Sequence, residues 1–415
     1  MIRTFNILLL IFALQWSNAQ ETNCASKENT LEQYLKEKEY TKANEIFNDI
    51  KMNCLAQSEK SLQLGLQLQQ YNIEIAPKEN KEKEVREILG LFKLYDKSFP
   101  NNTNGNFEKS AMALYLNKVG TNDEVYALLD KAFEFQKKSF QNPEAIYAYL
   151  YLFIEKYKAD KKTNTVDAIL NKYVEVTSLL EVNKEIVPEN IEIYDRVLVT
   201  MESLMKDYLV PDAVIANAKN NFQNKKSDVL WLQAMANILA AKAKNAPIFE
   251  TVAIELNTIK PSSKSAYYLA IFNLNTAKQD QAITFFSESV KLEKNPMVKA
   301  QTAYTIASIL SITDKEKSKE MVLTAINSNP TNGKYYIFLA NLYADGVADC
   351  ATTDFERNAI YKLASETVLK SFVVEPLLKG TAEQLSKSYL QKVVATKGKS
   401  KPVKLGCWIN QTVTF

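Results

Sequence analysis

Apolar residues recur at helical spacing along most of the chain, most clearly over Ser265–Pro296, SAYYLAIFNLNTAKQDQAITFFSESVKLEKNP. This stretch predicts two short helices joined at Lys278–Asp280, with Leu269 and Ala270 in the first and Ala282, Phe286 and Leu292 in the second. Small residues at Ala270, Ala282 and Ser289 let two antiparallel helices approach closely while larger ones fill the gap between them. Further helix starts are written in capping residues. Thr121 with Glu124 predicts a capping box, and Asn142 followed by Pro143 predicts a capped first turn. Downstream of that turn Tyr147, Tyr151, Ile154 and Tyr157 form one apolar stripe, read as core packing. The mixed-charge run Pro77–Leu89 reads as the solvated start of a helix. The last residues, KLGCWINQTVTF, break the pattern. They alternate, with Cys407, Ile409, Val413 and Phe415 on one side and Trp408, Asn410, Thr412 and Thr414 on the other, which predicts a lone strand.

The paired helices resemble the tetratricopeptide pattern, in which a Leu-Gly/Ala pair in helix A is followed by Ala, an aromatic and Ala in helix B. AINSNPTNGKYYIFLANLYADG repeats the theme: Ala325 and Pro330 close one unit, and Tyr336, Leu339, Ala340 and Tyr343 occupy the next. Near the start, Tyr34 and Tyr40 precede Ala43 and Phe47 at the spacing expected for helix B. Ile50 stands where a small residue belongs, and the unit around Ala303–Ala307 is out of register by one. The expected fold is therefore an all-α, tetratricopeptide-like α-solenoid of antiparallel helix pairs with a short extended tail. Its parts are a leader over 1–19, helical hairpins over 20–98, divergent helical repeats over 107–260, repeats over 261–394, and a linker and tail over 395–415. The turn-forming run Phe99–Ser110 marks the best internal boundary, and Ala395–Lys404 reads as an irregular connector.

Composition agrees and excludes several chemistries. Nine Gly and 11 Pro in 415 residues are too few for the turns of a sandwich or barrel. A net charge of +3 from interspersed Lys and Glu gives no basic field for nucleic acid. The chain has no histidine, which removes the commonest general base and the Ser-His and Cys-His nucleophile pairs. No Gly-rich phosphate loop, GxSxG or paired-Cys knuckle is present, so neither catalytic residues nor a cofactor or metal site is expected.

Arg3, the apolar run Ile7–Leu14 and Ser17-Asn18-Ala19 form a secretory leader pattern with a cut after Ala19, so the mature chain is expected to start at Gln20. Cys24 follows Glu21-Thr22-Asn23 rather than a small-residue box, so no lipid anchor is expected, and no later segment is expected to span a membrane. In an exported chain four cysteines (Cys24, Cys54, Cys350 and Cys407) read as two disulfides. Three connectivities are open, of which nearest pairing is the simplest.

Together, Cys54, FEFQKKSFQNPEAIYAYLYLF, GKYYIFLANLY, CATTDFERNAIYKLA and the terminal CWINQTVTF resemble a group of exported tetratricopeptide-repeat proteins of Gram-negative bacteria. The resemblance implies architecture and compartment, periplasmic or secreted, but no activity. It implies an insertion with a Cys between the last helices A and B, matching Asp345–Asp354 here. If Cys350 bonds Cys407, the alternating tail is tied back over the last repeat and covers the apolar end of the solenoid. Repeat positions place Tyr267, Ile271, Asn275, Ile337 and Asn341 near a helix A groove. A groove that clamps a terminal carboxylate needs Lys and Asn there. Only Asn341 fits, with Tyr267 and Ile337 where Lys is required. The expected function is a non-catalytic scaffold that binds a protein or peptide in the envelope. The alternative is a glycan-binding helical protein of the starch-utilisation type, disfavoured by the missing lipid-anchor motif and by having only Trp231 and Trp408 after the leader. Oligomeric state is not written in the sequence.

Overall fold

The computed structural model describes residues 24–54, 58–101, 104–159, 165–395 and 402–414. The expected leader and most of the Ala395–Lys404 connector lie outside them. Among the described residues the chain is all-α apart from a short hairpin at its end. It divides into two compact units, the first ending at Leu209 and the second beginning at Val210.

In the first unit α1 covers 24–36, followed by α2 (Tyr40–Asn53), α3 (Glu59–Ile75), α4 (Lys78–Ser98), α5 (Asn106–Asn117), α6 (Asn122–Phe135), α7 (Pro143–Ala159), α8 (Val166–Ile186) and α9 (Ile191–Leu204). Successive helices pack on one another, α3 on α4, α4 on α5, α5 on α6 and α7 on α8. Small residues set the approach. Ala43 is fully buried, and a Cβ added to Gly65 would lie 2.2 Å from the ring of Phe47. Phe47 thus occupies the space left by the absent side chain, and α2 and α3 close onto each other. Cys24 and Cys54 are bonded, with Cα atoms 5.6 Å apart, and tie α1 to the end of α2.

Two expectations for this unit need correction. Thr121 accepts from the Glu124 backbone N–H at 3.2 Å, but the Glu124 carboxylate does not reach back to complete a box. It pairs instead with Arg86 on α4, one oxygen at 3.0 Å from Nη2. In α7, Asn142 caps as expected, accepting from Glu144 and Ala145 at 2.9 and 3.2 Å. Of the apolar stripe, however, only Ile154 is fully buried, while Tyr147, Tyr151 and Tyr157 are half-buried. The buried tyrosine is Tyr149, whose hydroxyl donates to Asp130 at 2.5 Å and accepts from Lys172 at 2.9 Å. Burial first, then the bond to Asp130, pushes the Tyr149 phenol far up. The hydroxyl therefore stays protonated and serves as a structural link between α6, α7 and α8.

The second unit holds α10 (Pro211–Lys225), α11 (Val229–Lys242), α12 (Pro247–Ile259), α13 (Ser263–Asn275), α14 (Gln279–Leu292), α15 (Pro296–Leu310), α16 (Lys315–Ser328), α17 (Gly333–Asp345), the single turn α18 (Val347–Cys350), α19 (Asp354–Val374) and α20 (Lys379–Leu390). The pairs α13–α14, α15–α16 and α17–α19 pack most extensively. Ala270, Ala282, Phe286, Ala303, Ala307, Ala325 and Ala340 are buried in one continuous core. The α13–α14 joint lies at 276–278, two residues before the expected position, because Ala277 takes φ 59° and stops α13 there. Lys38 and Lys118 do the same after α1 and α5, with φ 59° and 55°. Leu292, expected in the pair, is 42% exposed at the end of α14.

The tail is not a lone strand. β1 (Val403–Leu405) and β2 (Gln411–Val413) pair antiparallel, Val403 opposite Val413 and Leu405 opposite Gln411, and both pack on α19. Part of the expected connector is thus a strand. The chain reverses through Asn410 at φ 44°, a conformation Asn tolerates better than most residues. Leu405, Ile409 and Val413 enter the same buried core as Tyr343 and Ile360. Cys350 and Cys407 are bonded, with Cα atoms 5.3 Å apart.

Candidate functional site

Of the five expected groove residues, Tyr267, Ile271 and Asn275 follow one another at spacings of four along α13, and Ile337 and Asn341 do so on α17. Ile271 and Ile337 are half-buried and pack against the core. Asn275 is exposed and spends its amide on its own helix, donating to the Ile271 carbonyl at 2.8 Å. Asn341, the one position suited to a carboxylate clamp, accepts from the Tyr389 hydroxyl of α20 at 2.6 Å. Burial, and then Asp345, pushes that phenol up to about 12, so it stays a donor at neutral pH.

Tyr267 opens onto a groove, a cavity of about 580 Å³ between α13, the end of α14 and α15. Tyr267 is 36% exposed, and its ring meets Phe286 edge-on at 5.6 Å. Across from it stand Met297 and Val298, 67% and 47% exposed, with Gln301 and Thr305 one and two turns further along α15. The hydroxyls here are engaged locally. Thr302 donates to Val298 O at 3.0 Å and Thr305 to Gln301 O at 3.0 Å. Glu293 fixes the polar end, accepting from the Ser263 hydroxyl at 2.6 Å and from the Asn295 backbone at 2.8 Å. One carboxylate therefore ties the start of α13 to the starts of the Asn295 cap and α15. Burial raises the Tyr267 phenol, so the groove presents a neutral aromatic face. The surface is apolar with a polar rim, which suits desolvation of another apolar surface rather than chemistry on a small molecule.

Sequence reasoning missed Met297, Val298, Gln301 and Thr305. The signal that could have found them is Asn295-Pro296, a cap followed by Pro in the first turn, which fixes where α15 starts.

No protein-family profile and no curated protein matches the chain. Among solved structures, the APC/C hetero-tetramer Cut9-Hcn1 is similar over 85% of this chain at 10% identity and a TM-score of 0.34, and this chain spans 59% of that one. Naa15/Naa10 bound to HypK-THB is similar over 91% of this chain and 69% of that one, at 13% identity and a TM-score of 0.25. Both likenesses are too weak to bear on the site. Among the described residues no helix is long and apolar enough to cross a membrane.

Proposed function

We propose that the protein is an exported, non-catalytic tetratricopeptide-like scaffold that binds a protein or peptide in the periplasm or outside the cell. The observation that carries this reading is the groove beside Tyr267, where Met297 and Val298 stay in water although the surrounding helices are well packed. Exposed aliphatic and aromatic groups grouped within one groove and rimmed by polar side chains suit a partner's apolar side chains. The Arg3, Ile7–Leu14 and Ser17-Asn18-Ala19 pattern and the two disulfides support export.

The test for binding compares residues 20–415 with a Tyr267→Ala, Met297→Glu double variant as bait for envelope extract. A partner is expected to be retained by the parent and lost by the variant. Retention of polysaccharide in place of protein would favour the glycan-binding alternative, and equal retention of protein by both baits would remove the groove from the function. For location, intact-mass measurement of protein from its native host is expected to show a chain beginning at Gln20 without acyl groups. A mass including residues 1–19 would refute export by cleavage.

A further inference from the structure

The first unit contains a second groove, built differently from the one beside Tyr267. It is a cavity of about 530 Å³ bordered by α3, α4 and α5 and reaching Asn142 at the head of α7. Its floor is apolar, with Ile73, Ile88, Phe92 and Met112 all less than 9% exposed, and Leu116, 61% exposed, stands at the rim. Into this lining comes Glu108, a carboxylate only 8% exposed.

A buried carboxylate in an apolar groove is costly unless something offsets it. Part of the offset is visible, because Oε2 accepts from the backbone N–H of Gln141 at 2.8 Å and of Asn142 at 3.1 Å. Both bonds fall on one oxygen, and Oε1 receives neither. Capping those two amides requires only a neutral carbonyl, which a glutamine would supply without the cost of burying charge. Burial outweighs the two bonds and the weaker pull of the neighbouring Lys109 cation, and holds the Glu108 carboxyl above its ordinary range. The other charged groups of the lining are Glu74 and Lys109, both exposed, which leaves the groove one negative charge in excess.

We infer that this groove takes a segment of another polypeptide in which a lysine or arginine neighbours an apolar residue. The apolar side chain covers Ile73, Phe92 and Met112, and the cation pairs with Glu108. The charge excess selects the cation, the apolar floor selects its neighbour, and burial makes the pair stronger than one on an open surface. This surface is independent of the groove beside Tyr267, so either assignment can fail without the other.

Each groove contains one methionine, Met112 in the first unit and Met297 in the second. Residues 20–415 labelled at the methionine methyl carbons are titrated with acetyl-Leu-Lys-Leu-amide and with its analogue carrying norleucine for lysine. The lysine peptide is expected to shift the Met112 methyl signal, with the norleucine peptide binding about 10-fold more weakly. Glu108→Gln, which keeps an acceptor for Gln141 and Asn142, should abolish that difference while leaving the other methionine signals in place. If this variant fails to fold, Lys109→Gln serves instead. It removes the exposed rim cation and should tighten lysine-peptide binding by about 2-fold. Equal affinity for the two peptides, an unmoved Met112 signal up to the solubility limit, or a parent-like preference in folded Glu108→Gln would each overturn the inference.

Discussion

Replacing Cys350 and Cys407 together by serine separates the two ways in which the tail is held. The bond spans a sequence separation of 57, for which loop-closure entropy gives about 4 kcal/mol. The non-covalent grip is also considerable. Leu405 and Ile409 are fully buried and Val413 is 4% exposed, each contributing about 2 kcal/mol by apolar burial. Trp408 stacks on Tyr343 with centroids 6.3 Å apart and lies over Gly346, where an added Cβ would come within 2.4 Å of the indole. Lys319 donates to the carbonyls of Trp408 at 2.6 Å and Ile409 at 3.1 Å. The paired serine variant should therefore keep its tail docked at low temperature, since the bond acts chiefly on the unfolded chain. Its loss should appear as a fall in the melting temperature of the second unit of roughly 8–16 °C for the 4 kcal/mol. Ile409→Ala, with the bond intact, should cost about 2–5 kcal/mol through the cavity it leaves. Calorimetry of the three proteins gives the melting shifts, and tryptophan fluorescence reports whether Trp408 stays shielded. An unchanged melting temperature in the paired serine variant would refute the loop argument. A solvent-exposed Trp408 in that variant at low temperature would refute the claim that packing and the Lys319 bonds suffice for docking.

Gly65→Ala should destabilise the first unit by about 1–3 kcal/mol, because the new methyl group meets the Phe47 ring and overpacking outweighs the gain in helix propensity. A denaturation midpoint at or above that of the parent would contradict the close approach of α2 and α3. Ala277→Gly should do the opposite, adding about 1 kcal/mol by relieving a left-handed conformation, as read from the chemical-denaturation midpoint of the second unit. Glu108 tests the sign of the burial effect. A carboxyl raised in the fold stabilises below its unfolded pKa, and that contribution is lost as pH rises through the folded value. Melting temperatures of Glu108→Gln minus those of the parent should therefore increase from about pH 4 to about pH 7, and a flat difference would show that Glu108 titrates normally.

By itself, the sequence determined whatever depends on neighbours within a turn or a hairpin. Ala270, Ala282 and Phe286 specify a helix pair because residues three and four apart share a face, and Asn142 specifies its cap because the amides it accepts are two and three residues on. For the cysteines the sequence left three connectivities open; the structure has the nearest pairing, Cys24 with Cys54 and Cys350 with Cys407 across α19 and α20. Tertiary structure decided what depends on partners far along the chain. Glu124 could serve its own cap or Arg86, and only the packing of α6 against the preceding helices brings Arg86 within reach. The tyrosine of α7 that becomes core is Tyr149 because Asp130 and Lys172 arrive from α6 and α8 to satisfy its hydroxyl, a condition no apolar stripe encodes. Asn341 is likewise engaged from far along the chain, accepting from Tyr389 of the last helix. The alternation of the tail was legible, but its pairing was not, because β1 lies in a lysine-rich stretch whose strand conformation comes from β2 and α19 rather than from its own residues.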